Sequence, residues 1–499
     1  MNFFFSTTLL FIGLLLPVLI GLPFTQFTGI TLNRIERFIL SFLFGWLIFF
    51  AIFAIAGFLG FGFSFMGGLT IILILSGMLF YLFRKKRVSI AGEGNRELKK
   101  GSSKADSMIT FLLILMSVVM FTVLFIESVG DTGSMPMQAV WGYKAKLFFL
   151  EGKIPLSFFY DPDIPFTHQS YPLLFPIMLT WSYLCMGGVY EPLIKLMPPC
   201  VGVLIFLSLY GILRREGLSR IVSLIVSILF CGGTAFSLCS TIIYAENILI
   251  LYELWGVYFL YLYLRGFGET IQGGVWRSSL LLFCGFIFLA GGACVKNEGF
   301  IYFALATLYI FMILLCRYFK HVFNDYRGKS DDIYGDARKS TYPYFAAVLL
   351  SAALFIVPWM LFRYYLNVPV RDFSIMEKLR IMKNTGFIES GSLGILKLSC
   401  GKFLYTMFVD LQASCGVWYF LIILFFVMRK KLFQKHLLFL ICMIFLPIAI
   451  FAVSFIFSLR PIGWHMDAIP RLLLVPELFA LIFILCTASL SRNSLPRSL

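Results

Sequence analysis

The amino-acid sequence predicts an all-α, polytopic membrane helical bundle of about thirteen transmembrane helices, with interfacial helices in its first large outer loop. Three observations predict it. Hydrophobic residues make up 60% of the chain and charged residues 13%, more apolar surface than a soluble core of this length can hide. Apolar runs of about 20 residues recur from end to end, the length a helix needs to cross a bilayer. Those runs are continuous rather than alternating, which excludes a β-barrel.

Hydropathy places the spans near 3–22, 38–60, 66–83, 107–127, 194–213, 220–242, 247–264, 278–294, 300–316, 344–362, 404–428, 437–458 and 472–489. The first lacks a basic leader and a small-residue cleavage site, so it reads as a span, with room for an uncleaved signal role. Residues 1–106 form an N-terminal three-span unit and a basic cytoplasmic loop; residues 107–499 form the larger transmembrane domain, with its outer loop at 128–193. The eleven cysteines contain no CxxC pair, and most sit inside apolar runs (Cys231, Cys239, Cys284, Cys442, Cys486) as small packing residues.

The formal net charge of +16 does not mark a nucleic-acid binder, because the Lys and Arg fall in short clusters between spans. Placing Arg84-Lys85-Lys86-Arg87 through Lys104 in the cytoplasm orients the bundle. One apolar run, 171–188, then decides everything downstream. If it does not cross, the clusters at Arg214-Arg215, Arg265–Arg277, Arg317–Lys339 and Arg429–Lys435 also lie inside; if it crosses, they all lie outside. We therefore read 171–188 as an interfacial or re-entrant helix, broken at its start by Pro165, Pro172 and Pro176.

The outer face then receives the 128–170 loop, the turn Tyr244-Ala245-Glu246-Asn247, the turn Lys296-Asn297-Glu298-Gly299, the basic 363–402 loop and the link from Arg460 to Arg471. Asp131 follows the span ending near Glu127, and Gly130 lets the chain turn there. A carboxylate at that boundary can serve as a general base, or it can be a solvated loop residue. Residues 138–152 read as an amphipathic helix for the headgroup layer, with Trp141 near one end and Lys144 and Lys146 as snorkelling cations. Glu253, two turns beyond Glu246, either has an interior partner or marks a pathway.

Several of these pieces occur together and in order: an acidic residue after a span, Trp141-x-x-Lys144-Ala-Lys146, His168-x-x-Tyr171-Pro172-Leu-Leu-x-Pro176, Tyr244-Ala-Glu246, Lys296-x-Glu298-Gly299 and Trp464-His465…Arg471. This series, spanning Asp131 to Arg471, resembles the glycosyltransferase C superfamily. It is most similar to membrane enzymes like the protein O-mannosyltransferases and the lipid A aminoarabinose transferase. Glu rather than Asp stands at 246, a chemically mild departure from the resemblance, and the three spans before residue 84 precede the part that resembles the family.

The resemblance implies a glycosyltransferase that moves a sugar from a polyprenyl-phosphate donor to a lipid, glycan or protein acceptor, at the outer face of the cytoplasmic membrane. Asp131 would be the catalytic base, and Glu246 would position the acceptor or bind a divalent ion. Lys296, with Glu298 beside it, and Arg471, Arg371 and Arg380 would hold the donor phosphate. Trp141, Lys144, His168, Tyr171 and His465 would position the acceptor or the loop. The displacement at the anomeric carbon would invert its configuration. No metal site follows from spacing: Asp131 and Glu246 could share a divalent cation, but no His or third carboxylate is locked to them.

Each assignment has a plainer counterpart. Lys296 and Glu298 could be an ion pair closing a turn, Trp464 and His465 interfacial anchors, and the 371–383 basic residues a site for anionic membrane lipids. A transporter or flippase of lipid-linked glycans is the main rival; it predicts inverted repeats and charges near the midplane. A polymerase or ligase would carry a large late outer loop rich in Arg and His, and the 363–402 loop has Arg but no His. A membrane subunit without activity is the remaining alternative.

Overall fold

The computed structural model describes residues 3–28, 30–83, 104–130, 134, 136–161, 163–164, 167–266, 274–326, 333–368, 391–410, 417–427, 434–454 and 462–493. Among them are helices and no strands. Among the described residues, eleven helical segments are long and apolar enough to cross a membrane, or twelve if one bent pair counts as a span.

The helices that matter here are α1 (Phe3–Leu15), α2 (Arg34–Phe58), α3 (Phe65–Phe83), α4 (Lys104–Gly130), α5 (Trp141–Glu151), α6 (Leu174–Met186), α7 (Met197–Arg215), α8 (Arg220–Cys231), α9 (Thr234–Thr241), α10 (Glu246–Arg265), α11 (Gly274–Val295), α12 (Glu298–Tyr326), α13 (Ile333–Ser351), α14 (Val357–Tyr365), α15 (Gly391–Phe408), α16 (Val417–Val427), α17 (Lys435–Ser454) and α18 (Ile462–Asn493).

Two expected spans take a different form. The run 220–242 is not one rod: α8 and α9 meet at 67°, across Gly232-Gly233, where two consecutive glycines remove the side chains that stiffen a helix. The run 404–428 is not one helix either. Its first helix ends at Phe408, just before Asp410, a charge that a lipid-buried helix carries only at cost, and α16 resumes at Val417. The stretch 411–416 lies outside the described residues.

Helix α6 is 13 residues long, about 20 Å, too short for a hydrocarbon core of about 30 Å. All its residues except Leu184 are buried. It is therefore held inside the protein, among the other helices rather than against lipid.

The N-terminal spans are packed into the bundle rather than set beside it. Trp181 Nε1 on α6 donates to the Gly13 carbonyl at 2.9 Å, Trp46 Nε1 to the Leu14 carbonyl at 3.2 Å, and the Tyr252 hydroxyl on α10 to the Leu43 carbonyl at 2.8 Å. Close approach makes these bonds reachable. A Cβ on Gly45 would sit 1.9 Å from the Pro17 carbonyl oxygen, so only glycine lets α2 touch the preceding segment there. At the opposite end from the candidate site, a capping box joins Asn33 and Glu36, and Glu36 pairs with Arg215 of α7. Arg265, at the end of α10, pairs with Glu216 at 2.6 Å, and the Tyr258 hydroxyl donates to the same carboxylate at 2.9 Å. Helix α10 is the central post, buried along nearly its whole length, and it carries the candidate site at its first residue.

Candidate active site

Three short turns deliver the charges. Glu246 is the first residue of α10, directly after Tyr244-Ala245. Lys296 lies in the tight link between α11 and α12, and Glu298 opens α12. That link stays tight because Gly299 abuts the backbone of Gly292, where an added Cβ would come within 2.3 Å. Arg471 comes from α18, one residue after Pro470.

These turns converge on one carboxylate. Glu246 Oε1 accepts from Lys296 Nζ at 3.2 Å and from Arg471 Nη1 at 2.7 Å. Lys296 also pairs with Glu298 at 2.8 Å. The Arg471 guanidinium lies 4.2 Å from the centre of the Tyr244 ring, a cation–π contact that holds it against the turn. Glu246 and Lys296 are nearly inaccessible, with side chains 6% and 9% exposed. Burial alone would pull the Lys296 ammonium down, but the Glu246 and Glu298 carboxylates outweigh it and hold it above the usual lysine range. Burial pushes the Tyr244 phenol up, and Arg471 offsets only part of that.

Beneath the charges the wall turns apolar. Leu249 and Ile250 of α10, Phe451 of α17, and Leu472 and Val475 of α18 line the same pocket as Glu246, Lys296, Glu298 and Arg471, with Tyr302 of α12 between them. One end is ionic and the other greasy. Glu246 Oε2, Glu298 Oε2 and the Tyr302 hydroxyl are buried with no hydrogen-bond partner among the described residues, so the pocket keeps polar capacity in reserve.

The segment between α4 and α6 builds a second cluster against this one. Lys144 is fully buried rather than snorkelling, which corrects the sequence expectation. Its ammonium donates to the His168 carbonyl at 2.7 Å and lies 5.3–5.9 Å from the Trp141, Phe158 and Tyr171 rings. Lys146 remains exposed and pairs with Glu191 at 3.3 Å. Two positions apart on a helix point to opposite sides, so one lysine enters the cage while the other faces outward. Helix α5 therefore packs on α6 more than it lies in a headgroup layer, with Trp141, Gly142, Ala145 and Phe148 also buried. Trp141 stacks on Tyr171 at 5.4 Å, and the His168 ring also stacks on Tyr171, at 4.7 Å. His168 takes a left-handed backbone (φ 50°), which turns its carbonyl toward Lys144.

Tyr171 joins the clusters. Its ring lies near both Lys296 and Arg471, so the loop aromatics border the ionic end of the pocket. Of the residues chosen from sequence, Glu246, Lys296, Glu298 and Arg471 are brought together, and Trp141, Lys144, His168 and Tyr171 form the adjoining cage. Asp131, Arg371 and Arg380 lie outside the described residues, as does Lys378. His465 falls in the first turn of α18, but its side chain is outside the description. Among the described residues no group of three or more His, Cys, Asp or Glu is placed to hold a metal ion. Sequence reading missed Tyr302, Phe158 and the apolar wall, since nothing local distinguishes them from other bundle residues.

Residues 178–373 match the family model described as dolichyl-phosphate-mannose-protein mannosyltransferase. The match bears out the resemblance to glycosyltransferase C enzymes drawn from the motifs. It supports a multi-pass membrane glycosyltransferase working from a polyprenyl-phosphate sugar. The matched stretch contains Glu246, Lys296, Glu298 and Arg371; Asp131, the α5 cage and Arg471 fall outside it. No curated protein and no solved structure matches the chain.

Proposed function

We propose that this chain transfers a sugar, mannose being the first candidate from the family's description, from a polyprenyl-phosphate donor to an acceptor at the outer face of the cytoplasmic membrane. One observation carries the reading: two cations, the buried Lys296 and the half-buried Arg471, line a pocket whose remaining wall is apolar. That pairing suits a phosphate attached to an isoprenoid, whose tail prefers the apolar wall and whose charge needs compensation at the boundary. The outer-face assignment rests on the basic loops and on a non-crossing α6.

In this mechanism the acceptor hydroxyl attacks the anomeric carbon from the side opposite the phosphate, inverting its configuration. The bond from that carbon to the phosphate oxygen breaks with its electron pair. Lys296 and Arg471 take up the charge that grows on the leaving phosphate, while Asp131 accepts the acceptor's proton. Glu246 fixes both cations. The Trp141–Lys144–Tyr171 cage positions the loop beside them, and the N-terminal three spans (1–106) serve as scaffold for the domain at 107–499.

The deciding experiment compares the parent chain with Asp131→Asn in a transfer assay using polyprenyl-phosphate mannose. Full activity in that variant would remove Asp131 as the base; no transfer by the parent from any polyprenyl-phosphate sugar would remove the enzyme reading. A lipid-linked glycan flippase is the second reading, because Glu253 and Glu477 are buried carboxylates inside spans. Movement of a labelled lipid-linked sugar across proteoliposomes without transfer would favour it.

A further inference from the structure

The charges at the mouth of the pocket already cancel: Lys296 and Arg471 face Glu246 and Glu298. A phosphate entering such a site adds a buried negative charge unless one carboxylate gives way. The two carboxylates are not equivalent. Glu246 is held twice through one oxygen, by Arg471 at 2.7 Å and Lys296 at 3.2 Å, and its side chain is 6% exposed. Glu298 is held once, by Lys296 at 2.8 Å, its side chain is 18% exposed, and its second oxygen has no hydrogen-bond partner among the described residues. Glu298 also opens α12, where the helix N-terminus can stabilise a carboxylate that has let go of its lysine.

We propose that Glu298 is an exchangeable counter-anion: it and the lipid phosphate compete for Lys296, and its return to that lysine drives the product out. The inference rests on the donor reading above. Transfer converts a phosphodiester bearing one negative charge into a monoester bearing up to two near neutral pH. A product with more charge would hold the cations more tightly than the donor does, and turnover would stall on it. Glu298 offsets that by offering Lys296 a permanent partner only a side-chain rotation away. Glu246 cannot take this part, because it is the shared anchor of both cations.

The test measures binding of farnesyl phosphate, with farnesol as the uncharged control, to the full-length chain in nanodiscs. Glu298→Gln removes the competing charge and is expected to bind farnesyl phosphate roughly tenfold more tightly. Glu298→Asp keeps the charge and is expected to stay near the parent. In turnover, Glu298→Gln lowers both KM and kcat and produces a burst of first product followed by slow release. A side chain that merely closes the turn would, when changed, weaken binding in both variants and show no burst. Unchanged or weaker phosphate binding in a Glu298→Gln variant that unfolds at the parent's temperature overturns the exchange while leaving the donor reading intact. If Glu298→Gln does not fold, Glu298→Ala carries the same expectation and the same refutation. A parent chain that binds farnesyl phosphate no better than farnesol overturns the donor reading, and the exchange with it.

Discussion

Replacing Glu246 by Gln probes the one carboxylate on which the site converges. The change keeps the shape and a hydrogen-bond acceptor but removes a charge that holds Lys296 at 3.2 Å and Arg471 at 2.7 Å. At an effective dielectric of about 20, each contact is worth roughly 5 kcal/mol before desolvation is counted. Most of that is offset by the cost of burying the ions, and the measurable effect is the penalty for leaving cations without their partner. For side chains this buried, that penalty is about 3–5 kcal/mol. The expected outcome is a thermal unfolding midpoint in detergent, followed by tryptophan fluorescence, that falls by several degrees. Transfer activity should fall with it even below the unfolding range. Adding Arg471→Met to Glu246→Gln removes the cation whose ion pair among the described residues is with Glu246 alone, and the double variant should recover part of the lost stability. A single variant that unfolds at the parent's temperature would refute the claim that this carboxylate balances the pocket.

Other outcomes follow from the same contacts. Lys144→Met should cost about 2 kcal/mol, because the His168 carbonyl loses a charged donor in a dry cage; a midpoint equal to the parent's would show that the cage does not need the ammonium. Glu253 is fully buried, and neither carboxylate oxygen has a hydrogen-bond partner among the described residues, so Glu253→Met should leave the midpoint unchanged or raise it; a clear fall would reveal an interaction the carboxylate makes. The Lys296 ammonium is held above the usual lysine range, so its contribution to stability is full below about pH 10.4, the ordinary lysine value, and is lost only as pH rises beyond that. Unfolding midpoints of the parent and Lys296→Arg should therefore run parallel from pH 7 to about pH 10, and a drop in the parent alone within that window would contradict the pairing. Ser219→Cys, in the exposed turn before α8, should react with an impermeant thiol reagent only from the cytoplasmic side; labelling from outside would mean that α6 crosses and that the outer-face site is wrong.

The sequence by itself determined the membrane bundle, because a continuous apolar run of sufficient length has few stable alternatives in water or in lipid. It also marked the turns that carry Glu246, Lys296 and Glu298, since charged residues at the ends of apolar runs are local features. It did not show that two long apolar runs, 220–242 and 404–428, are each interrupted rather than single rods. Hydropathy averages over a window and does not register Gly232-Gly233 or the single charge of Asp410 as a break. Only the tertiary structure decided which charges meet. Glu246 and Arg471 are 225 residues apart and pair because α10 and α18 pack side by side, a choice made by the fit of whole helices. It also decided that Lys144 turns inward to the His168 carbonyl while Lys146 turns outward, a distinction set by what surrounds the helix and absent from its hydropathy. Tyr171 and Tyr302 gained their places for the same reason: an aromatic residue in a membrane protein acquires a role only from what packs against it.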